Sequence, residues 1–397
     1  MEQPPATGEQ SLLADGKATV EEAAPSETNL GKKRKNETTQ APQTGTTCPG
    51  VVLQRSPPTQ LVQGREGPVR KTTKSYNNQE WLHSRSAREV RILCEYLEVE
   101  ERLRRQKVYC TFLIFGSSRA RSPEQWEKLM TQAEALVKNP ATHEQGVQEV
   151  ARLNRIKWMC AYWVKIKELS KKLSEWLLTP EARQAVAHIL RELPAPVGGS
   201  SSFYSASDVS GVAGVDQPCP VAICTGGGPG MMEAGNCGAS EVKGARSMGM
   251  SVSLPFEDGL NPYVDENLAF EFHYFFTRKF WMIYSTLGVI VAPGGLGTLD
   301  EVMEILTLKQ TQKMKRDIPI VLFGKRFWQG TINFHKLVES GVANARDNEQ
   351  LFFTDDVSEA FEYLKNSLLQ GRLVLTPHHV HKSRRNSLGE PAAKASA

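Results

Sequence analysis

The stretch LGVIVAPGGLGTLDE, residues 287–301, joins a short β-branched apolar run to a glycine-rich turn and the beginning of a helical pattern. An apolar run without alternating polar residues is typical of a strand that is covered on both faces of its sheet. A turn that leads from such a strand into a helix is the repeating unit of parallel α/β sheets. The stretch therefore predicts one strand, turn and helix of a parallel sheet.

Similar units occur on both sides of this stretch. Four further apolar runs predict strands at 108–116, 221–225, 250–254 and 318–324. Helical patterns separate or follow the runs at 123–137, 231–243, 274–285, 299–311, 327–340 and 357–369. Strands that alternate with helices predict a doubly wound, Rossmann-like α/β domain with a parallel sheet and right-handed crossovers. Ligands of such domains bind at the carboxyl ends of the strands.

The rest of the chain divides by composition. We expect one α/β domain over 76–377, elaborated by additional helices at 76–106 and 143–193. Segments rich in small and polar residues and poor in aromatic ones cannot bury enough apolar surface to offset the entropy of the chain. Three segments are therefore expected to be disordered: the N-terminal arm 1–75, an insertion at 194–218 and the C-terminal tail 378–397.

The composition excludes several classes of protein. Hydrophobic residues make up 40% of the 397 residues and charged residues 23%, which is typical of a globular chain. The formal net charge of +4 is too small to indicate a nucleic-acid binder by itself. The seven cysteines are dispersed and never spaced as CxxC, so we expect reduced thiols and no metal site. No apolar run reaches the length of a membrane span, so we expect a cytoplasmic protein, with a basic run at 32–35 as a weak nuclear signal.

Three glycine-containing turns follow predicted strands and lead towards helices. The first contains Gly116 and Ser117, the second is TGGGPG at 225–230, and the third is PGGLGT at 293–298. Unpaired main-chain N–H groups at such turns favour an anion, most often phosphate. The third turn lacks the lysine of a Walker A motif, and the second has Met231 where the dinucleotide fingerprint has its last glycine. Three such turns predict a phosphorylated ligand, although a tight turn without a ligand also fits the second one.

Two groups of charged residues lie close to these turns. Glu301 either stands beside the third turn as a functional acid or forms a capping box with Thr298. Arg278 and Lys279 lie among aromatic residues, an unusual setting for adjacent cations. One of these cations either points into a cleft, or both lay their stems on apolar surface and keep their charges in water.

These motifs together resemble the LOG (Lonely guy) family of phosphoribohydrolases, whose members are often mislabelled lysine decarboxylases. The resemblance covers about 108–370 and rests on PGGxGTxxE at 293–301, Arg278 with Lys279, and GGGPGMMEAG at 226–235. LPFE at 254–257, NPY at 261–263 and FEFHYFFTRK at 270–279 resemble the longer branch of the family.

The resemblance implies hydrolysis of the N-glycosidic bond of a nucleoside 5'-monophosphate, which gives a free base and ribose 5-phosphate. It implies that Arg278 and Glu301 are catalytic, that no cofactor is needed, and that the chain forms a homodimer or a larger homo-oligomer. Asp300 and the aromatic residues around Arg278 depart from the plant members, so the base could be a cytokinin or that of AMP, CMP, GMP or IMP. The implied substrate-binding residues are Gly116, Ser117, Gly226, Gly227, Gly228, Lys279, Gly294, Gly295, Gly297 and Thr298.

Three other functions are weighed against this one. A pyridoxal-phosphate decarboxylase needs a Schiff-base lysine, and neither glycine motif contains one, so that Lys279 is a poor sole candidate. A non-catalytic regulatory or carrier module would bind a nucleotide with the same turns and tolerate changes at Arg278 or Glu301. A nucleic-acid binder is supported only by basic runs near the termini. The enzyme is therefore the preferred prediction, and the binding module is the alternative.

Overall fold

A computed structural model describes residues 72–192, 212, 214, 217–253, 259–314 and 316–370. The fold belongs to the compact unit Thr73–Ala397. Apart from a few residues at their edges, the segments 1–75, 194–218 and 378–397 lie outside the described residues, as do the basic run 32–35 and the LPFE motif at 254–257. The predicted disorder and domain boundaries therefore stay predictions.

Seven strands form one sheet in which every neighbouring pair is parallel. The order across the sheet is β4-β3-β2-β1-β5-β6-β7, which confirms the predicted doubly wound, Rossmann-like α/β fold. The strands are β1 Cys110–Phe115, β2 Val221–Thr225, β3 Ser247–Val252, β4 Ala269–Phe272, β5 Thr286–Val291, β6 Ile320–Phe323 and β7 Leu351–Thr354.

The helices precede and connect these strands. Before β1 lie α1 Gln79–Leu82 and α2 Arg88–Arg105, and between β1 and β2 lie α3 Pro123–Lys138, α4 His143–Ile156, α5 Met159–Leu177 and α6 Pro180–Glu192. The remaining helices are α7 Met231–Ser240, α8 Phe275–Tyr284, α9 Leu296–Gln310, α10 Lys325–Thr331, α11 Phe334–Glu339, α12 Ala345–Glu349 and α13 Val357–Leu369. Within the described residues, no helix is both long and apolar enough to cross a membrane.

The structure differs from the sequence prediction mainly at the two edges of the sheet. The strands β4 and β7 were not predicted, because each mixes buried with half-buried or exposed residues and so lacks a continuous apolar run. The predicted helix 327–340 is two helices, α10 and α11, and the side chain of Asn333 caps the second by accepting the N–H of Lys336. The predicted strand at 250–254 begins earlier, at Ser247, because Ser247 and Gly249 interrupt the apolar pattern of its first half.

Close packing fixes the helix that follows the second glycine turn. A Cβ atom on Gly238 of α7 would lie 2.1 Å from the carbonyl oxygen of Lys167, so glycine is required where α5 crosses α7. The hydroxyl of Ser170 donates to the carbonyl of Gly235 at 2.6 Å in the same contact. These contacts hold the middle and the end of α7 against α5.

The strand order reverses between β1 and β5, which are neighbours at the centre of the sheet. In open α/β sheets, the crevice outside the carboxyl ends of the strands at such a reversal is the usual ligand site. The first glycine turn follows β1 and the third follows β5. The topology therefore brings the predicted phosphate-binding turns to the position where this fold binds ligands.

Candidate active site

Main-chain hydrogen bonds join the three glycine turns directly. The N–H of Ser117 donates to the carbonyl of Pro293 at 3.0 Å, and the N–H of Met231 donates to the carbonyl of Ser117 at 3.1 Å. Gly230 has a φ of 77°, and a Cβ atom on it would lie 2.3 Å from the Ser117 carbonyl oxygen. Glycine is therefore required at this point. The three turns that were predicted from separate motifs form one continuous edge.

A buried polar network shapes the second turn. Gly227 has a φ of 74°, and its N–H donates to the hydroxyl oxygen of Thr225 at 2.8 Å. The Thr225 hydroxyl in turn donates to the Asn236 side-chain oxygen at 2.6 Å. Asn261 donates to the Gly227 carbonyl from its main chain at 2.7 Å and from its side chain at 3.0 Å. The roles of Thr225 and Asn236 were not predicted; the signal that the sequence offers is an asparagine within the helix that follows a glycine turn.

The third turn leaves its glycines accessible. Gly295 and Gly297 have no atom within 4 Å of the place where a Cβ atom would stand, so crowding does not explain why they are glycines. Gly294, in contrast, lies beneath Thr298, whose hydroxyl oxygen would be 2.1 Å from an added Cβ atom. The first N–H groups of an α-helix have no intrahelical partner, and α9 begins at Leu296 without a side-chain cap. The turn therefore presents open main-chain donors of the kind that bind phosphate.

The capping-box interpretation of Glu301 is wrong. Thr298 lies inside α9 rather than before it, and the residue that precedes the helix is Gly295. The carboxylate oxygen Oε1 of Glu301 instead accepts a hydrogen bond from Arg278 Nη1 at 3.0 Å. The structure thus joins the two side chains to which the family resemblance gives catalytic roles.

Arg278 is held from three directions. Besides its bond to Glu301, its Nε donates to the carbonyl of Met250 in β3 at 2.8 Å. Gly226 lies against the guanidinium, because a Cβ atom there would be 2.8 Å from Nη2. The Arg278 side chain is 12% exposed and that of Glu301 is 7% exposed. The alternative in which Arg278 extends its charge into water is therefore wrong.

The environment of Glu301 favours its neutral form. Burial raises the pKa of the Glu301 carboxyl, and the charges of Glu304 and Asp300 raise it further, while Arg278 and Lys279 offset part of the increase. The second oxygen, Oε2, is buried and has no hydrogen-bond partner among the described residues. Buried polar atoms are rarely left unpaired, and where they are, a catalytic role is one of the explanations. A carboxyl with a raised pKa and a spare oxygen is suited to proton transfer.

Lys279 points away from this pair. Its Nζ lies 2.7 Å from Asp300 Oδ2 and 2.7 Å from Glu304 Oε2. It lines a separate cavity of about 1010 Å³ that includes Phe275 and Phe276 but neither Arg278 nor Glu301. The buried pair of Arg278 and Glu301 lies outside this cavity and has the acid and the cation that the candidate active site needs. The role of Lys279 in substrate binding stays a prediction that its position does not favour.

Glu95 is a further residue of the site, and it was not predicted from the sequence. Its carboxylate accepts the main-chain N–H of His273 at 2.7 Å and that of Tyr274 at 3.4 Å, and also the hydroxyl of Thr277. It therefore caps the beginning of α8, the helix that carries Arg278. No local pattern could reveal this contact, because Glu95 lies on α2, far from α8 along the chain.

Comparisons with known proteins find relatives of part of the chain. Residues 232–364 match a family described as possible lysine decarboxylase. The pyrimidine/purine nucleotide 5'-monophosphate nucleosidases of Escherichia coli K12 and O157:H7 are 28% identical over 159 residues, which cover 37% of this chain and 34% of each relative. The chain thus matches about a third of the length of these curated relatives.

A solved structure is also similar to part of the chain. The X-ray structure of TM1055, a structural-genomics target, is 19% identical and covers 37% of this chain and 78% of its own, with a TM-score of 0.26. The family match at 232–364 includes Arg278, Glu301 and the third glycine turn. The first and second turns lie before it.

Proposed function

We propose, from the LOG-family resemblance that the family match and the nucleosidase relatives support, that this protein is an N-glycosyl hydrolase. Its substrate is a nucleoside 5'-monophosphate, and its products are the free base and ribose 5-phosphate. The observation that carries the proposal is the buried contact of 3.0 Å between Arg278 and Glu301, beside three joined glycine turns.

The residues fit the chemical needs of this reaction. Cleavage of an N-glycosidic bond passes through an oxocarbenium-like sugar, which a nearby carboxylate stabilises. Glu301 supplies that carboxylate and deprotonates the water that adds to the anomeric carbon, while a proton passes to the departing nitrogen of the base. The main-chain donors at Gly295 and Gly297 hold the 5'-phosphate. This division of roles explains why an acid stands directly after a phosphate-binding turn.

Arg278 positions the sugar and limits the increase in the pKa of Glu301. Its guanidinium lowers the pKa of Glu301 against the effect of burial, so that a larger fraction of the carboxyl is ionised at neutral pH. Because Oε2 of Glu301 is shielded from solvent, we expect Arg278 or the turn at 293–298 to shift when a ribose enters. Correct placement of the reacting groups can lower a barrier by several kcal/mol.

An assay of nucleoside monophosphates tests the proposal. AMP, CMP, GMP, IMP and a cytokinin riboside 5'-monophosphate are incubated separately with the purified full chain, and free base and ribose 5-phosphate are measured. We expect release from at least one of them and much slower release from the matching nucleosides without phosphate. Equal turnover of nucleosides would contradict the role of the glycine turns. Nucleotide binding without any turnover would favour the non-catalytic binding module.

We also propose that the protein forms a homodimer or a larger homo-oligomer. Large apolar side chains are exposed on α2, at Leu93 and Leu97, and on α8, at Phe275 and Phe276. Exposed apolar surface that extends over two helices is characteristic of an interface between protein chains. A second copy of this chain is the partner that the family resemblance implies.

A further inference from the structure

We propose that Arg85, Arg88 and Arg91, together with His273 and Tyr274, form a second anion site, separate from the catalytic turns. These five residues line a cavity of about 520 Å³ beside the beginning of α2 and the link between β4 and α8. That volume lies within the range of small-molecule sites. The ligand that the site fits is a phosphate-type group carrying several negative charges.

The charge of this cavity is not balanced by the described residues. None of the three arginines forms an ion pair within the part of the chain that the structure describes, and no carboxylate lines the cavity. The arginines at the other end of α2 differ, because Arg102 pairs with Glu98 and both Arg104 and Arg105 pair with Glu101. Converging cations without acids repel one another, and a bound anion relieves that repulsion.

The position of Arg88 increases the imbalance. It is the first residue of α2, which has 18 residues and begins after Ala87 without a side-chain cap. A cation at the beginning of a helix opposes the helix dipole, whereas Glu89 in the same turn interacts favourably with it. An anion at this place would interact favourably with both the arginines and the dipole.

Two of the arginines are already held in position. Arg91 Nη1 donates to the carbonyls of Leu82 and Ser84, each at 2.6 Å, which leaves its Nε and Nη2 without a described partner. The guanidinium of Arg88 lies over the ring of Tyr274, at 5.4 Å from the ring centre. A planar guanidinium fixed in this way offers paired N–H donors that match the oxygens of a phosphate.

The site depends on side chains rather than on the beginning of α8. The main-chain N–H groups of His273 and Tyr274 are taken by the carboxylate of Glu95 and are not free for a ligand. Glu95 brings one negative charge to this region, against the three positive charges of the arginines. The carbonyl of Tyr274 accepts the N–H of Arg278, so the cavity borders the helix that carries the catalytic arginine.

Titration with inorganic pyrophosphate tests the site. Binding to the purified full chain is measured by calorimetry at constant ionic strength, for wild type and for Arg85→Gln, Arg88→Gln and Arg91→Gln. We expect each substitution to weaken binding roughly tenfold or more, since each removes a charge-assisted contact. The matched control is Arg105→Gln, which removes an arginine of the same helix that lies outside the cavity and should leave binding unchanged.

A further variant separates this site from the catalytic turn. Gly297→Ala fills open space at the third turn and should not disturb the fold, because no atom lies within 4 Å of the new methyl group. We expect it to leave the arginine-dependent binding of pyrophosphate intact. Loss of that binding in Gly297→Ala, or equal binding by wild type and the three arginine variants, would overturn the proposal.

The position of the anion can be observed even if an arginine variant fails to fold. Crystals of the wild-type chain are soaked in sodium tungstate, whose tetrahedral oxyanion resembles phosphate, and the tungsten is located by anomalous diffraction. We expect a tungsten peak between Arg85, Arg88 and Arg91. Peaks at the glycine turns alone would overturn the proposal.

Discussion

Glu301 uses one carboxylate oxygen to bind Arg278 and keeps the other unpaired in a buried position. We expect Glu301→Gln to preserve nucleotide binding and to lower the rate of base release by about 10²-fold or more, because the amide cannot act as a general base. Calorimetric titration with nucleotide and the product assay measure the two quantities separately. Glu339→Gln is the matched control, since Glu339 is an exposed acid that pairs with Lys336 on α11. If Glu301→Gln keeps full activity, Glu301 does not act in catalysis.

The charge of Glu304 influences the same carboxyl. Glu304 raises the pKa of Glu301, so removing its charge lowers that pKa. Activity that needs ionised Glu301 increases as the pH rises through this pKa. We therefore expect Glu304→Gln to move the acidic limb of the pH–rate profile to lower pH. The same profile recorded for Glu98→Gln, which changes an exposed acid on α2, should match wild type. A limb that moves to higher pH in Glu304→Gln would show that another group controls it.

The sequence indicated the residues of the pair but not their surroundings. Arg278 and Glu301 could be named because each stands in a short motif beside a glycine turn or an aromatic run. Glu95, Asn236 and the carbonyl of Met250 could not, because they act through contacts between segments that are distant in sequence. The capping-box pattern at 298–301 was misleading, since α9 begins two residues before Thr298.

At the scale of elements, α2 supports the helix that carries Arg278. Replacing Glu95 by alanine removes the carboxylate that caps α8, which should lower stability by about 1 kcal/mol. We also expect kcat to fall roughly tenfold while KM changes less, because Arg278 loses its fixed position. Thermal unfolding and steady-state kinetics provide the two measurements.

Two further variants test whether the effect belongs to the cap. Glu95→Gln keeps an acceptor oxygen and should recover part of the lost kcat. Glu98→Ala removes an acid of the same helix that is exposed and pairs only locally with Arg102. If Glu98→Ala lowers kcat as much as Glu95→Ala, the cap has no special role.

The predicted strands agree with the structure where all the residues of the strand are buried. The runs that became β1, β2, β5 and β6 are buried along their whole length, so their continuous apolar pattern identified them. The edge strand β4 lies in an aromatic stretch that leads straight into α8 and gives no separate signal. Partial exposure removed the pattern on which the prediction depends.

At the scale of the whole molecule, the exposed apolar residues of α2 and α8 predict self-association. We expect light scattering after size exclusion to give a mass of at least two chains, independent of concentration over the micromolar range. Phe276→Glu should shift the protein towards the monomer, because a charge opposes burial of this surface. Leu337→Glu alters an exposed apolar residue of a different helix, α11, and should leave the mass unchanged. A monomeric wild type would contradict the prediction.

The residue at position 226 also distinguishes, from sequence alone, relatives that can hold the arginine in this position from relatives that cannot. A methyl group at position 226 would stand 2.8 Å from Nη2 of Arg278, so the guanidinium that Met250 and Glu301 hold on its other sides would have to shift. A homologue that carries alanine there can retain every residue of the two charged motifs and still hold its cation in a displaced position. Such sequences should be set aside when activity is transferred from one member to another, however well their signatures agree.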